Sequence, residues 1–280
     1  MKIKLLVGIA LSVSLFSCKN DTHSHNTQTQ PQADTTEISA PKFDNKGHEL
    51  VYNMVQKVGD MAKLHSKKNV IYTYTYQTPD GKTDISKEKY LFDGELSYGA
   101  YEKHERTLPD LEGLIEQGYD GTEFWLKHNG EIVNDDKLLK PVAFNRPTNF
   151  YWFTMMQKLL DDGLFYEYVG EKTINNKPYN VVKVTFETTD AKPKDIYQLY
   201  INKETDLVDQ FLFTVADFNK MDPLLMEVTY ENIDGLLLPT KRKYKNSNWD
   251  AVVTDQPWIL VNWSDITFNN ELTKADFKKE

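Results

Sequence analysis

Apolar runs broken by short polar turns dominate the second half of the chain. Residues 196–202 give way at 203–206 to a run over 207–216, and 224–232 turns at Asp234-Gly235 into 236–244. Runs of this length, rich in Val, Ile, Tyr, Phe and Thr and joined by Asx-Gly or short charged turns, predict consecutive antiparallel strands. The pattern recurs upstream. Residues 69–77 alternate strictly, with Val70, Tyr72, Tyr74 and Tyr76 on the face expected to be buried. Strands over 87–92 and 95–103 flank Asp93-Gly94, while Asp120-Gly121 and Asn129-Gly130 bracket a short strand over 122–128. Residues 179–187 and 258–268 add further strands, the last carrying Trp258, Trp263 and Phe268. Asx-Gly is a strong hairpin signal because both central residues of a type I′ turn need positive φ. An antiparallel sheet is therefore the main predicted element, in an α+β chain that is mostly antiparallel β.

Two segments follow a different period. Over residues 44–65, Val51, Met54, Val55, Val58, Met61, Ala62 and His65 recur at steps of three and four, which predicts one amphipathic helix. Lys63, Lys67 and Lys68 suit its negative C-terminal end. His65 closes the stripe, as a core or cap histidine or as a ligand or base. Residues 149–160 are apolar nearly all round: Phe150, Tyr151, Trp152, Phe153, Met155, Met156, Leu159 and Leu160 leave Thr154, Gln157 and Lys158 as a narrow polar stripe. Such a helix is buried on most sides. Pro147 lies just before it and Asp161-Asp162-Gly163 supplies a stop. It is expected against the concave face of the sheet, as core filler or as a lid over an apolar cavity.

The N-terminus has the layout of a secretory leader, with Lys2 and Lys4, an apolar stretch over 5–16, and Ser17 before the chain's single cysteine, Cys18. Leu15-Phe16-Ser17-Cys18 resembles a bacterial lipobox, which implies cleavage of residues 1–17 and acylation of Cys18. Several acyl chains on one residue anchor stably, whereas one alone binds a membrane only marginally. Residues 18–41 are Asn-, Gln-, Thr-, Asp- and His-rich and read as a flexible tether, with a span of about 25–30 Å. His23 and His25 lie in this stretch, as solvated linker residues or as two ligands of a metal without a third. The body is expected over 42–280 as a single domain, long enough to bury roughly three-quarters of its unfolded surface without disulfides.

Loss of Lys2 and Lys4 with the leader takes the formal charge from −9 to −11. That acidic balance disfavours nucleic acid, whose binding needs clustered Lys and Arg. No catalytic motif stands out. Ser97 lacks the flanking glycines of a nucleophile elbow, and Ser39 and Lys42 lie beside Pro41, where no helix could align them. His48-Glu49 and His104-Glu105 are not followed by the second histidine of a metalloprotease helix. Gly170-Glu171-Lys172-Thr173 resembles the end of a phosphate-binding loop, yet position 165 is Phe where the earlier glycine belongs. Asp135-Asp136 and Asp161-Asp162 read as solvated turn carboxylates, with acid–base or calcium roles as the alternative. The expectation is a protein that is not an enzyme and uses no cofactor or metal.

Three segments carry a resemblance: YDGTEFW over 119–125, QLYINKETDLVDQFLF over 198–213 and YENIDGLLLPTKRKY over 230–244. With the lipobox and the first helix ahead of them, the chain resembles the LolA-like superfamily of outer-membrane lipoprotein-handling proteins over roughly residues 45–275. More narrowly it looks like uncharacterised lipid-anchored relatives in Bacteroidota. The resemblance implies a half-open β barrel, with helices packed in or over the concave face around an acyl-chain cavity. The superfamily's soluble carrier uses a buried arginine, to which this sequence alone matches none of Arg106, Arg146 and Arg242.

The functional expectation is a membrane-tethered, non-enzymatic lipoprotein binding a lipid, an acyl chain or another apolar molecule. Its cavity would be lined by Tyr72, Tyr74, Tyr76, Phe92, Trp152, Phe153, Met156, Phe211 and Phe213. The alternative is a structural or interaction module with a filled core and an envelope protein as partner. The expected location is the outer membrane, on its periplasmic side or at the cell surface. Metabolic labelling with an alkyne palmitate is expected to mark the full chain and to be lost in Cys18→Ser.

Overall fold

The computed structural model describes residues 41–188 and 193–280; the leader, Cys18 and the tether histidines His23 and His25 lie outside the described residues. The first meander comprises β1 (Asn69–Gln77), β2 (Thr83–Leu91), β3 (Leu96–His104), β4 (Ile115–Tyr119), β5 (Phe124–His128) and β6 (Glu131–Ile132). The second comprises β7 (Leu164–Ile174), β8 (Lys177–Phe186), β9 (Ile196–Asn202), β10 (Val208–Val215), β11 (Lys220–Ile233), β12 (Leu236–Asn246) and β13 (Ile259–Phe268). Every strand pairs antiparallel with its sequence neighbour within each meander. The two are joined where β13 pairs with β1, with Tyr74 opposite Trp263 and Tyr76 opposite Val261. The result is one 13-stranded sheet with β6 at one edge and β7 at the other.

The connection between those two edges is a single helix. We label the helices α1 (Lys46–Val58), α2 (Met61–His65) and α3 (Asp136–Lys158). Twelve strand spacings would make a flat sheet about 58 Å wide, whereas the 23 residues of α3 extend only about 34 Å. Leu138, Leu139 and Val142 pack with Tyr101, Ile115 and Leu126 of β3, β4 and β5. Phe150 and Phe153 pack with Tyr72, Tyr90 and Trp263 of β1, β2 and β13. Met155, Met156 and Leu159 join Val184, Leu199, Phe211 and Met226 of β8 to β11. A rod some 10–12 Å across touches that many strands only if the sheet curls around it. Residues Lys42–Glu280 form one compact unit, and all four apolar clusters are built from residues within it.

The helix bounds differ from the sequence expectation. The single helix over 44–65 is two, because Gly59 takes φ 95° after α1 and Asp60 begins again by accepting from Lys63 N. Val51, Met54, Val55 and Val58 are buried as expected, but Leu64 takes the place assigned to His65. His65 is exposed and stacks on Phe92. The helix placed over 149–160 starts thirteen residues earlier and runs through Pro141 and Pro147. Each proline removes an intrahelical donor. The upstream turns persist because Leu138, Leu139 and Val142 have their own apolar partners on β3 to β5. The stripe expected to be polar is largely interior: Thr154 and Gln157 are buried, and Gln157 Nε2 donates to Gly59 O at the end of α1.

Strand β7 had no counterpart in the sequence reading. It turns into β8 through Asn175 and Asn176, both at positive φ, a tight turn made without glycine. Of the five Asx-Gly pairs between strands, Asn129-Gly130 and Asp234-Gly235 place both residues at positive φ; at Asp80-Gly81, Asp93-Gly94 and Asp120-Gly121 only the glycine does. Behind β8 to β11, Ala251 and Trp258 of the β12–β13 connection pack on Val181, Tyr200, Leu212 and Leu225. These strands are therefore buried on both faces, and Trp258 lies just outside the strand expected to contain it. The segments YDGTEFW, QLYINKETDLVDQFLF and YENIDGLLLPTKRKY fall on the β4–β5, β9–β10 and β11–β12 hairpins.

Gly118 pairs with Trp125 across β4 and β5, and a Cβ there would meet the Trp125 ring at 2.2 Å. That ring also donates from Nε1 to Phe277 O at 2.8 Å. Gly118→Ala is expected to destabilise the body by about 1–3 kcal/mol in urea unfolding, with quenching or shift of the tryptophan emission already visible in the folded state.

Candidate functional site

Eight of the nine residues expected to line a cavity fall in two apolar groups, and Tyr76 lies apart from both. Tyr72, Phe92 and Phe153 are buried in one cluster with Tyr74 packed against it; Met156, Phe211 and Phe213 are buried in another, with Trp152 at its edge. Tyr72 stacks on Phe153 at 5.0 Å between ring centroids, and Trp152 meets Phe213 edge-on at 5.3 Å. Tyr76 lies further along β1, edge-on to Tyr244, with the two hydroxyls hydrogen-bonded. Within each group the side chains touch one another, with Phe153 in one and Trp152 and Met156 in the other contributed by α3. The surface clefts lie elsewhere: one of about 540 Å³ runs along Thr78, Asp80, Lys82 and Arg106, the other along 101–114.

Between the apolar contacts of α3 with β3 to β5 and the first of these groups, the concave face is polar, which the sequence reading missed. Glu88 on β2 and Arg146 on α3 are both fully buried; Nη1 donates to Oε2 at 2.9 Å and Nη2 to Oε1 at 3.3 Å. Ser86 Oγ donates to Glu88 Oε1 at 2.7 Å and Tyr90 to Oε2 at 3.0 Å, while the Tyr72 and Tyr90 hydroxyls are 2.8 Å apart. Arg146 Nη2 also donates to the Tyr101 hydroxyl at 3.2 Å. Gly99 on β3 leaves room for this pair, since a Cβ there would lie 2.6 Å from both Arg146 Nη1 and Glu88 Oε1. Arg146 Nε and both polar atoms of the Gln117 side chain have no partner among the described residues. One signal was available. Asp84, Ser86 and Glu88 share the alternation phase of the core residue Tyr90, so a strand that buries Tyr90 also buries a carboxylate.

The chain's other two arginines lie on the same face. Arg106, partly exposed, donates to Asp84 Oδ2 at 3.1 Å and sits 4.0 Å over the Tyr76 ring. Arg242 on β12 is 5 % exposed and places its guanidinium carbon 3.9 Å from the centroid of the Trp263 ring. Burial pushes the Tyr72 and Tyr90 hydroxyls well above the ordinary tyrosine range, and the charge of Glu88 adds to the effect. Tyr101 is pushed up to about 12 by burial, against the opposing pull of Arg146. Burial also lowers Arg242.

The histidines do not converge. His48 stacks on Tyr166 with Asp44 at 3.5 Å, His65 lies on Phe92, and His104 Nε2 is 2.8 Å from Gly113 O. Among the described residues no three His, Cys, Asp or Glu side chains are placed to hold a metal, and no helix is long and apolar enough to cross a membrane.

Residues 142–222 match the model of a family of unknown function, DUF6503. No curated protein matches the chain. Among solved structures, the fold is similar to a DUF1329 family protein from Desulfovibrio piger, at 14 % identity over 83 % of this chain and 96 % of that one, with a TM-score of 0.48. It is similar to a LolA superfamily protein from Nitrosomonas europaea at 11 % identity, over 82 % and 97 % of the two chains, with a TM-score of 0.46. A putative outer membrane lipoprotein-sorting protein domain from Vibrio parahaemolyticus is also similar, at 11 % identity over 84 % and 97 %, with a TM-score of 0.47.

Arg146→Met alone is expected to cost about 3–5 kcal/mol, because it strands the buried Glu88; adding Glu88→Leu should recover most of the loss in urea unfolding. Alkali should act through the tyrosines. With folded-state values above the unfolded value of about 10, Tyr72, Tyr90 and Tyr101 contribute stability that is complete below that pH and is lost as pH rises through their raised values. Tyrosinate absorbance is expected to rise in two stages, exposed rings first and buried rings together with loss of near-UV circular dichroism.

Proposed function

We propose that the body is a non-enzymatic binding protein, tethered to the outer membrane through an acylated Cys18, that takes a lipid, an acyl chain or another apolar molecule along its concave face. In this reading α3 is the lid, and Tyr72, Tyr74, Tyr76, Phe92, Trp152, Phe153, Met156, Phe211 and Phe213 line the path that it covers. The supporting observation is the seam between α3 and the sheet. It carries a fully buried ion pair and orphaned polar atoms between the apolar contacts of α3 with β3 to β5 and the aromatic group around Tyr72 and Phe153. A contact kept only for stability is usually at least as strong when apolar. A seam fixed at that point by a few directional bonds has a defined closed position, from which the helix parts to admit a ligand. Pro141 and Pro147 weaken the helix's own ladder beside Arg146, where such parting would begin.

A second reading is favoured by the close packing of Phe153, Met155 and Met156 against the sheet and by exposed Phe165 and Val169 on edge strand β7. It makes the body an interaction module for an envelope protein, with a permanently filled core. Native mass spectrometry of residues 42–280 isolated from an envelope-containing extract separates the two. One lipid per chain, released on denaturation, is expected; a bare mass that stays bare after incubation with fatty acid and phospholipid would move the assignment to the interaction module.

A further inference from the structure

Two of the chain's three arginines have an acid of their own: Arg146 has Glu88 at 2.9 Å and Arg106 has Asp84 at 3.1 Å. Arg242 has none. Its guanidinium forms no ion pair or hydrogen bond among the described residues, although the side chain is 5 % exposed. The ionisable groups that act on it most strongly are phenols, those of Tyr74, Tyr72, Tyr90 and Tyr244. Phenols do not neutralise a cation at physiological pH, so the charge is left uncompensated, at a cost in stability. Stacking on Trp263 offsets part of that cost. Two further orphaned atoms belong to its neighbours: Trp263 Nε1 beneath the guanidinium and Thr240 Oγ1 two residues earlier on β12. Arg242 Nε, the indole N–H and the hydroxyl are all able to donate, and what they lack is an acceptor.

We propose that Arg242, with Trp263 and Thr240, receives the oxyanion head, a carboxylate or phosphate, of an acyl-chain ligand. The proposal rests on the concave-face binding reading and names the ligand's polar end. Flanking aromatic groups suit the attached chain. Tyr74 lies opposite Trp263, and Arg242, Val261 and Tyr76 form one cross-strand row that leads to Tyr244. The ligand brings the counterion that the fold omits, so the cost of the uncompensated charge is released on binding. Arg106, stacked on Tyr76 and lining the surface cleft, puts a second cation on the same side of the sheet.

The test compares palmitate, hexadecanol and inorganic phosphate on residues 42–280, by titration calorimetry and by the shift in melting temperature, for the wild type, Arg242→Met and Arg242→Lys. The wild type is expected to bind palmitate at least tenfold more tightly than hexadecanol. Arg242→Met should bind the two equally, and Arg242→Lys should restore part of the preference. Without ligand, Arg242→Met should melt above the wild type, since it removes an uncompensated charge; a purely structural arginine would lower the melting temperature. Equal wild-type affinity for palmitate and hexadecanol, or a preference that survives Arg242→Met, overturns the head-group assignment and leaves concave-face binding standing. Phosphate binding as tightly as palmitate would make it a free-ion site and also overturn the assignment. Uptake of neither chain by the wild type defeats the binding reading and this inference together.

Discussion

The path of α3 is the constraint on which the rest of the molecule depends. The first meander ends at β6 on one edge of the sheet and the second begins at β7 on the other. The chain between them must cross the sheet, and it crosses on the concave side as a helix. Its 23 residues meet three apolar clusters in succession, so the curvature of the sheet, the burial of Phe153 to Gln157 and the closure of the concave face all follow from this connection. Helices α1 and α2 complete the packing around it: Gln157 satisfies the last carbonyl region of α1, and Val51, Met54 and Val55 share a cluster with Met155 and Met156.

The crossing is not uniform in chemistry. At both ends α3 meets the sheet through aliphatic and aromatic side chains, and between them through Arg146 and Glu88 with a tyrosine and serine shell. A buried ion pair adds little net stability over an apolar replacement, yet it tolerates only one alignment of helix and sheet. Gly99 belongs to this arrangement because any side chain there would occupy the space of the pair. Arg242 sits outside the network, which leaves the concave face with a paired cation under α3 and, among the described residues, an unpaired one beside it.

Much of the architecture was legible in the chain because it depends on local signals. Alternation located the strands over 69–77 and 196–244, and Asn129-Gly130 and Asp234-Gly235 marked hairpins through the conformations that they favour. Where another residue type performed the same turn, as at Asn175-Asn176, strand β7 went unseen. Pro147 reads locally as a helix start, but α3 runs through it because partners on β3 to β5 hold the upstream turns. The aromatic members of the concave face were readable as one face of a strand. Their division into two groups was not, since it arises from which residues α3 sets against them.

The sequence by itself determined the antiparallel meanders, the aromatic strand faces and the acidic balance, since each is written in composition or in periods and motifs a few residues long. Tertiary structure alone decided the pairing of β13 with β1, the crossing of α3, the meeting of Arg146 with Glu88 across 58 positions and the lack of an acid for Arg242. Those features depend on which distant segments share a face, and that is set by burying all the apolar stripes at once rather than by any one of them.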